Sequence, residues 1–414
     1  MKYLWMTGTA PAFTRYAVLA IVLCLPGCAG LTRTPLPAEQ YQEATVLTRG
    51  DLRFWGDRSS DLNWSELRSR SNDQLVKDYP PTTQTQHSYL ALSGGGANGA
   101  YGAGLLSGWS EAGTRPEFAM VTGISIGALT APFAFLGSDY DGVLKEVYST
   151  LDSSSIYKAR SIVGSIRKDS LVDSTPLAAV LEKYVTKELV AAIGVQYLRG
   201  RSLFIGTTNL DAGRPVIWNV GRIAASGDPD AVALIRQVLQ ASASIPGAFP
   251  PVYIDVQGVD GNTYDEMHVD GGTSSQMFLY PQGIDWAEVL ETLKVDGRPT
   301  AYLIRNSYLE PDYDPVPRKL LPIVGRTVDS LVRTQGQGDI YRIYTLARRD
   351  GIDVKISWIP NGSVGITPTE TFDPVYMRAL FEFGYQRGLA QDGWIDVAQQ
   401  IERNMKRSPA VNTH

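Results

Sequence analysis

Two short apolar runs, each followed by glycines and a helix-compatible stretch, constrain the fold more than any other feature of the chain. Residues 89–93 have the sequence Tyr-Leu-Ala-Leu-Ser and precede three glycines, and residues 118–122 have the sequence Phe-Ala-Met-Val-Thr and precede Gly123. Continuous apolar runs of this length are typical of strands that are buried on both faces. Strand, glycine turn and helix, found twice in succession, predict an α/β fold with a central, mostly parallel sheet and helices on both of its faces.

Further segments of the chain fit the same architecture. Apolar runs predict additional strands, and stretches with helical periodicity predict the helices that cover the sheet. The predicted strands are 203–208, 215–218, 266–270, 300–305 and 354–359, and the predicted helices are 100–112, 126–136, 230–243, 327–349 and 375–391.

The second glycine turn carries a serine that could act as a nucleophile. Residues 123–127 have the pattern Gly-x-Ser-x-Gly, with Ser125 between the predicted strand and the predicted helix. A serine on such a tight turn projects outward, and small neighbours are needed because a side chain at either glycine would clash. Taken alone, the pattern is equally consistent with Gly123 and Gly127 simply permitting close packing of the helix on the strand.

The first glycine turn, Gly94-Gly95-Gly96, lies about 30 residues upstream of Ser125 and follows its own strand. Its bare backbone N–H groups at a helix start could stabilise the oxyanion that forms when a serine attacks an ester carbonyl. Two alternatives stay open, a structural turn without a ligand and a dinucleotide-binding loop, since residues 94–99 formally match Gly-x-Gly-x-x-Gly. The dinucleotide interpretation is the weaker one, because no acidic residue ends a strand about 20 residues further on.

An acidic residue before two further glycines, Asp270-Gly271-Gly272, ends another predicted strand. At the carboxyl end of a strand, its carboxylate can face the same crevice as Ser125. Asp270 could accept the serine proton or orient the group that does, although Asp-Gly-Gly alone is mainly a turn signal.

Histidine, the usual partner of a nucleophilic serine, is scarce in this chain. The three histidines are His87, which precedes the first strand, His414, which is the terminal residue, and His268. His268 lies two residues before Asp270 and therefore on the same face of the strand. A triad through His268 stays an alternative to a strand histidine that faces a neighbour.

Together these features resemble the patatin-like phospholipase family over roughly residues 89–391. Two further blocks carry the resemblance: residues 241–252, Ala-Ser-Ala-Ser-Ile-Pro-Gly-Ala-Phe-Pro-Pro-Val, and residues 207–213, Thr-Thr-Asn-Leu-Asp-Ala-Gly. The resemblance implies a three-layer α/β sandwich in which Ser125 is the nucleophile and Asp270 its partner in a catalytic dyad. It also implies an oxyanion hole formed by the backbone N–H groups of Gly94, Gly95 and Gly96, with that of Ile126 as a further donor.

The implied activity is that of a carboxylic ester hydrolase of the phospholipase A or lysophospholipase type, acting on fatty-acyl esters of membrane lipids. No cofactor is implied, and no metal, because no Asp, Glu and His residues cluster with ligand spacing. One departure is Asn98, where glycine loops of the family usually carry Arg or Lys. The alternatives are a broad esterase or thioesterase, and a lipoprotein scaffold that keeps the fold but has lost catalysis, which Asn98 would explain.

The N-terminus predicts export and a lipid anchor. Lys2 and Arg15 precede a short apolar run over residues 16–25, which at about 1.5 Å per residue is too short to span a membrane. Such a start is typical of a secretory signal, and residues 25–28, Leu-Pro-Gly-Cys, resemble a bacterial lipobox. That resemblance implies cleavage before Cys28, acylation of its sulfur and, with no Asp following, an outer-membrane position in the bacterial cell envelope facing the periplasm. An ordinary signal peptide is the alternative.

The predicted organisation is a signal peptide (1–27), a lipid-anchored tether or N-terminal extension (28–86), the acyl hydrolase domain (87–395) and a C-terminal tail (396–414). The formal net charge of −5 argues against nucleic acid as a partner, because a basic surface would be expected. Acyl lipid and the membrane are the expected partners, and the sequence indicates no particular protein partner. Loss of Cys24 with the signal and acylation of Cys28 would leave no free thiol or disulfide.

Overall fold

The computed structural model describes residues 33–58, 71–79, 82–160, 169–280 and 286–400, which form a mixed α/β fold around one ten-stranded sheet. The strands are β1 Arg53–Trp55, β2 Ser88–Leu92, β3 Met120–Ile124, β4 Lys158–Ala159, β5 Val172–Asp173, β6 Ser202–Asn209, β7 Arg214–Asn219, β8 Val252–Gln257, β9 Thr263–Asp270, β10 Thr300–Arg305, β11 Asp353–Trp358 and β12 Ile395–Asp396. The helices are α1 Asn72–Asp78, α2 Gly99–Glu111, α3 Ile126–Leu136, α4 Asp141–Thr150, α5 Ser153–Ile156, α6 Thr175–Tyr184, α7 Lys187–Leu198, α8 Val220–Ala224, α9 Ala231–Ser242, α10 Trp286–Thr292, α11 Leu320–Arg349 and α12 Pro374–Ala390.

The centre of the sheet is parallel, as the strand–turn–helix units predict. Along the sheet the strand order is β1-β7-β6-β3-β2-β10-β11-β12, and the five strands from β6 to β11 run parallel to one another. The flanking strands β1, β7 and β12 pair antiparallel. A β8–β9 hairpin adds to β6 through β9, also antiparallel. The predicted fold class is therefore confirmed.

Side chains that alternate along the central strands divide the core into two layers. In β2, Leu90 and Leu92 join the apolar cluster that contains residues of α2, α3 and α12. Tyr89 and Ala91 join a second cluster on the other face, which contains residues of α10 and α11. The period of two along a strand thus buries both faces of the sheet and produces the predicted three layers.

The N-terminal extension differs from the predicted tether where the structure describes it. Strand β1 pairs with β7 as an edge strand of the main sheet, and Leu52 and Val46 are buried in the core. Arg53 forms an ion pair with the buried Glu266 of β9. Residues 33–58 are therefore an integral part of the domain, because a buried ion pair and buried apolar side chains hold them against it.

Several predicted segments lie outside the described residues, and one predicted domain boundary differs from the structure. The signal peptide, Cys28 and His414 lie outside the described residues, as do residues 401–414 of the predicted tail. At the other boundary, β12 crosses residue 395 and pairs with β11, so the domain continues past that point. None of the described helices combines the length and the apolar character that a membrane span requires.

Candidate active site

Ser125 occupies a strained turn between β3 and α3. Its backbone angles are φ 56° and ψ −126°, a combination that costs a non-glycine residue about 1–3 kcal/mol. Close packing explains Gly127, because a Cβ there would lie 2.4 Å from the carbonyl oxygen of Leu92. The Gly-x-Ser-x-Gly segment thus forms the sharp elbow that the pattern predicts for a nucleophile.

Two strands that meet end to end bring Asp270 to Ser125. Strand β3 runs parallel to β6 up to the pair Ile124–Gly206, and β9 runs antiparallel along the same edge of β6 down to the pair Asp270–Thr207. The ends of β3 and β9 therefore face each other across one step of β6. As a result, Ser125 Oγ donates a hydrogen bond of 2.6 Å to Asp270 Oδ2.

Asp270 is held in place by backbone groups and is almost fully buried. Its Oδ1 accepts a 2.7 Å hydrogen bond from the N–H of Gly272, and its own N–H donates to the carbonyl oxygen of Ser244 at 2.8 Å. Burial raises the pKa of Asp270 from 3.8 to about 6, and the hydrogen bonds from Ser125 and Gly272 oppose that rise. The carboxylate is therefore a stronger base than an exposed aspartate while still mostly ionised at neutral pH.

Ser242, the last residue of α9, holds the backbone of the turn at Ser125 in place. Its Oγ accepts a 3.0 Å hydrogen bond from the N–H of Ser125 and donates a 2.7 Å hydrogen bond to the carbonyl oxygen of Gly206. Two residues later, the carbonyl of Ser244 holds Asp270. The block 241–252 therefore positions both members of the pair, a role that its sequence alone did not reveal.

The glycine turn lies directly against the nucleophile. A Cβ on Gly94 would be 3.1 Å from Ser125 Cβ, and a Cβ on Gly95 would be 1.9 Å from the carbonyl oxygen of Asn306. The N–H of Gly94 already donates to the carbonyl of Gln276 at 3.3 Å. By contrast, the N–H groups of Gly95, Gly96 and Ile126 donate to no other group within the described parts of the chain.

Gln276 connects the two glycine-rich segments of the site. Its carbonyl accepts from Gly94, and its Nε2 donates to the carbonyl oxygen of Gly272 at 2.9 Å and to Gln335 Oε1 of α11 at 3.0 Å. No motif surrounds Gln276 in the sequence, so only the folded chain reveals this contact.

Asn98, the residue that stands in place of a family cation, follows the glycine turn. Its Oδ1 accepts a 2.7 Å hydrogen bond from the hydroxyl of Tyr376, which also lies 3.2 Å from the hydroxyl of Tyr308. The amide oxygen is therefore tied to α12. This position supplies no positive charge to the site.

His87 and His268, the histidines among the described residues, are hydrogen-bonded to groups other than Ser125 and Asp270. The Nδ1 of His268 is 3.0 Å from Thr207 Oγ1, and its Nε2 is 3.1 Å from Glu266 Oε2. Complete burial lowers the pKa of His268. His87 lies at the start of β2, the end of the strand remote from the glycine turn, and is bonded to Tyr89 and Thr82. Both ring nitrogens of His268 are thus occupied by neighbours, which agrees with the strand-histidine alternative.

Two cavities adjoin the elbow from opposite faces of the sheet. One of about 280 Å³ is lined by residues that include Ile124, Gly206 and Gly271. The other, of about 60 Å³, begins at Ile126 and is lined by apolar and tyrosine side chains of α3, α4 and α6 together with Phe372 and Met377. Within the described residues no group of three His, Cys, Asp or Glu side chains could hold a metal ion.

One family model matches part of the chain. The model of the patatin-like phospholipases matches residues 90–281, a range that contains Ser125, Asp270 and the glycine turn. A search of curated proteins gives no match. Among solved structures, VipD from Legionella pneumophila is 14% identical, with 76% of this chain and 68% of that chain covered and a TM-score of 0.35. The type III effector protein ExoU is also 14% identical, with 76% of this chain covered and a TM-score of 0.24, and the match spans 54% of ExoU.

Proposed function

We propose, from the premise that residues 90–281 belong to the patatin-like phospholipase family, that this chain is a serine acyl hydrolase of membrane lipids. The family is one of lipid acyl hydrolases, and the proposed reaction is cleavage of fatty-acyl esters of the phospholipase A or lysophospholipase type. The observation that carries the proposal is the 2.6 Å hydrogen bond from Ser125 Oγ to Asp270 at a strained elbow.

In the first half of the reaction, Asp270 removes the hydroxyl proton as Ser125 Oγ attacks the acyl carbonyl. In this mechanism the N–H groups of Gly95, Gly96 and Ile126, which donate to no other group within the described residues, bind the carbonyl oxygen as it becomes an oxyanion. Gly94 contributes by allowing the loop to approach Ser125. When the tetrahedral intermediate collapses, Asp270 returns the proton to the leaving alcohol or lysolipid, and an acyl-serine ester remains.

In the second half, water attacks the acyl-serine. Asp270 takes a proton from the water, and the same N–H groups stabilise the second oxyanion. Collapse then expels Ser125 Oγ, which recovers its proton from Asp270, and the fatty acid leaves. The apolar cavity that begins at Ile126 gives the first carbons of the acyl chain a place beside the elbow.

The decisive experiment measures release of fatty acid from phosphatidylcholine, lysophosphatidylcholine, a soluble short-chain ester and a thioester. We expect the wild type to hydrolyse the lipid substrates, and Ser125→Ala and Asp270→Asn to lose hydrolysis of all of them. Ser107→Ala and Asp255→Asn are matched controls, since Ser107 Oγ donates to the carbonyl of Ala103 in its own helix and Asp255 is exposed on β8.

The alternatives give different results in the same assays. Preference for the short ester or the thioester would indicate a broad esterase or thioesterase. A folded wild type that cleaves none of the substrates would indicate a scaffold without catalysis. Full turnover by Asp270→Asn would contradict the role of Asp270.

We also propose that the chain is a bacterial lipoprotein, acylated at Cys28 and held at the outer membrane facing the periplasm. The support is the lipobox-like sequence of residues 25–28, which lies outside the described residues. Cell fractionation after labelling with radioactive palmitate tests the proposal. Wild-type protein should be labelled and sediment with outer membranes, and Cys28→Ser should be unlabelled; equal labelling of both proteins would refute acylation at Cys28.

A further inference from the structure

The first half of helix α11 and the segment before it expose an unusual amount of apolar surface. Of the nineteen large apolar side chains that are exposed in the described parts of the chain, eight lie between residues 313 and 331. Leu320 is 76% exposed and Leu321 is 81% exposed. The eight residues are Tyr313, Val316, Leu320, Leu321, Ile323, Val324, Val328 and Leu331. Such concentration, unlike scattered surface leucines, marks an interaction surface.

These side chains form a face of α11 that lies beside the face by which the second half of the helix packs on the sheet. Leu321, Val324, Val328 and Leu331 recur at intervals of three or four residues and therefore form one stripe. At 100° per residue, the buried residues Asp339, Ile343 and Ala347 of the second half are centred about 80° further around the helix. The stripe therefore lies at the margin of the packing face and faces solvent in the first half of α11.

The uncovered half of α11 projects past the edge of the sheet that holds the active site. Val332 O accepts from Arg305, the last residue of β10, and Gln335 accepts from Gln276, which also contacts Gly272 beside the proposed catalytic aspartate. Residues near 332–335 are therefore level with the site. The preceding twelve helical residues extend about 18 Å further at 1.5 Å per residue.

Other exposed aliphatic side chains are adjacent in sequence to residues that contact the site. Ile245, which is 46% exposed, follows Ser244, whose carbonyl holds Asp270. Val375, which is 54% exposed, precedes Tyr376, whose hydroxyl binds Asn98. Exposed aliphatic side chains therefore also occur directly beside residues that contact the site in the chain segments 244–245 and 375–376.

Basic side chains lie on the side of α11 opposite to the apolar stripe. Arg326 and Arg333 are seven residues apart and so lie along one line, about 200° around the helix from the line of Leu321 and Val328, and Lys319 directly precedes the helix. Residues 316–334 contain four basic residues and one acid, Asp329, although the whole chain carries a net charge of −5. A helix with one apolar face and one basic face is typical of segments that lie in the interface of an anionic membrane.

We propose that residues 316–334 dock on a phospholipid bilayer that contains anionic lipid. The apolar stripe enters the boundary between headgroups and acyl chains, and the basic line remains among the headgroup phosphates. This docking deepens the proposed function, on which it rests, because it places the mouth of the Ser125 site against its lipid substrate.

Hydrogen exchange followed by mass spectrometry tests the docking without catalysis. The full chain carrying Ser125→Ala is measured alone, with vesicles of phosphatidylcholine and phosphatidylglycerol, and with vesicles of phosphatidylcholine only. We expect exchange in peptides covering 320–334 to slow by about tenfold or more on the mixed vesicles, because insertion of several aliphatic side chains stabilises this half of the helix. The effect should weaken without phosphatidylglycerol.

Three results would overturn the docking proposal. The first is unchanged exchange on the mixed vesicles. The second is equal slowing on phosphatidylcholine alone, which would remove the assignment to an anionic surface. The third is slowing that depends on protein concentration without vesicles, which would mean that a second copy of the chain covers the stripe.

A paired substitution links docking to turnover. Leu321→Asn with Leu331→Asn should lower hydrolysis of the mixed vesicles by about tenfold or more, since two apolar side chains no longer enter the bilayer. Hydrolysis of a soluble short-chain ester should stay unchanged, which also shows that the variant is folded. Ser330→Asn with Thr334→Asn, outside the stripe, is the matched control and should retain both activities. If the wild type hydrolyses neither substrate, the proposed function fails, while the exchange measurement still decides the docking.

Discussion

Replacing Asp270 by asparagine should change how the stability of the protein depends on pH. In the folded protein burial raises the pKa of Asp270 from 3.8 to about 6. The folded state therefore binds this proton more tightly than the unfolded state. Consequently, ionisation of Asp270 lowers the free energy of unfolding as the pH rises from about 4 through about 6, and the loss is complete above that range.

The size of the effect follows from the shift. A rise of about two pKa units corresponds to about 3 kcal/mol at 1.36 kcal/mol per unit. Asparagine is uncharged at every pH, and its amide oxygen can still accept from the N–H of Gly272. Relative to Asp270→Asn, the wild type should therefore lose about 2.4 kcal/mol between pH 4 and pH 7, because the unfolded carboxyl is already more than half ionised at pH 4. Other titrating groups are common to both proteins, so their contributions cancel in the difference.

Urea unfolding of the two proteins at half-unit steps of pH measures this difference. The two curves of unfolding free energy against pH should diverge between pH 4 and pH 6 and run parallel above pH 7. Measured from its own value at pH 4, the unfolding free energy of the wild type should fall further than that of the variant. Curves that stay parallel throughout would refute the raised pKa, and with it the argument that burial prepares Asp270 to act as a base.

Three further outcomes follow from the same site. The kcat/KM for a soluble ester should fall about tenfold per pH unit below about pH 6, because protonated Asp270 cannot act as a base; a flat profile down to pH 5 would contradict this. Ser242→Ala removes the hydrogen-bond partner of the Ser125 N–H and the Gly206 carbonyl, so the free energy of unfolding in urea should fall by about 2 kcal/mol. The kcat of this variant should also fall, whereas Ser107→Ala should retain the wild-type kcat. His268→Gln should lower stability through its lost contacts yet keep the acid limb near pH 6, and disappearance of that limb would point to a triad.

Local sequence patterns predicted the elbow and the glycine turn because strand, turn and helix there are adjacent in the chain. The geometry between Ser125 and Asp270 was beyond such patterns. It depends on β3 and β9 both pairing with one edge of β6. This arrangement brings together two residues that are 145 positions apart in the chain. Only the family resemblance linked the two residues in advance. The positions of Ser242 and Gln276 likewise follow from long-range packing.

The N-terminal extension shows why a polar composition can mislead. Residues 33–58 contain no long apolar run, and β1 has only three residues. Its place in the sheet depends on partners far along the chain, β7 and the buried Glu266. A short edge strand that is recruited by tertiary contacts leaves little periodic signal.

Helix α11 begins seven residues before the predicted start at residue 327. Pro322 and Gly325 lower the helical propensity of this stretch, which favoured the later start. In the structure Pro322 lies in the first turn, where a missing N–H costs little. The stripe that results from this extension carries the proposed docking surface.

Reaction of the purified wild type with a fluorophosphonate, followed by intact-mass and peptide analysis, tests the central claim most directly, because only an activated serine beside oxyanion donors reacts readily with such a reagent. We predict one adduct per chain, on the peptide that contains Ser125, and no adduct on Ser125→Ala. A folded wild type that hydrolyses lipid while Ser125 stays unmodified, or that carries the adduct on another residue, would contradict the assignment of Ser125 as the nucleophile.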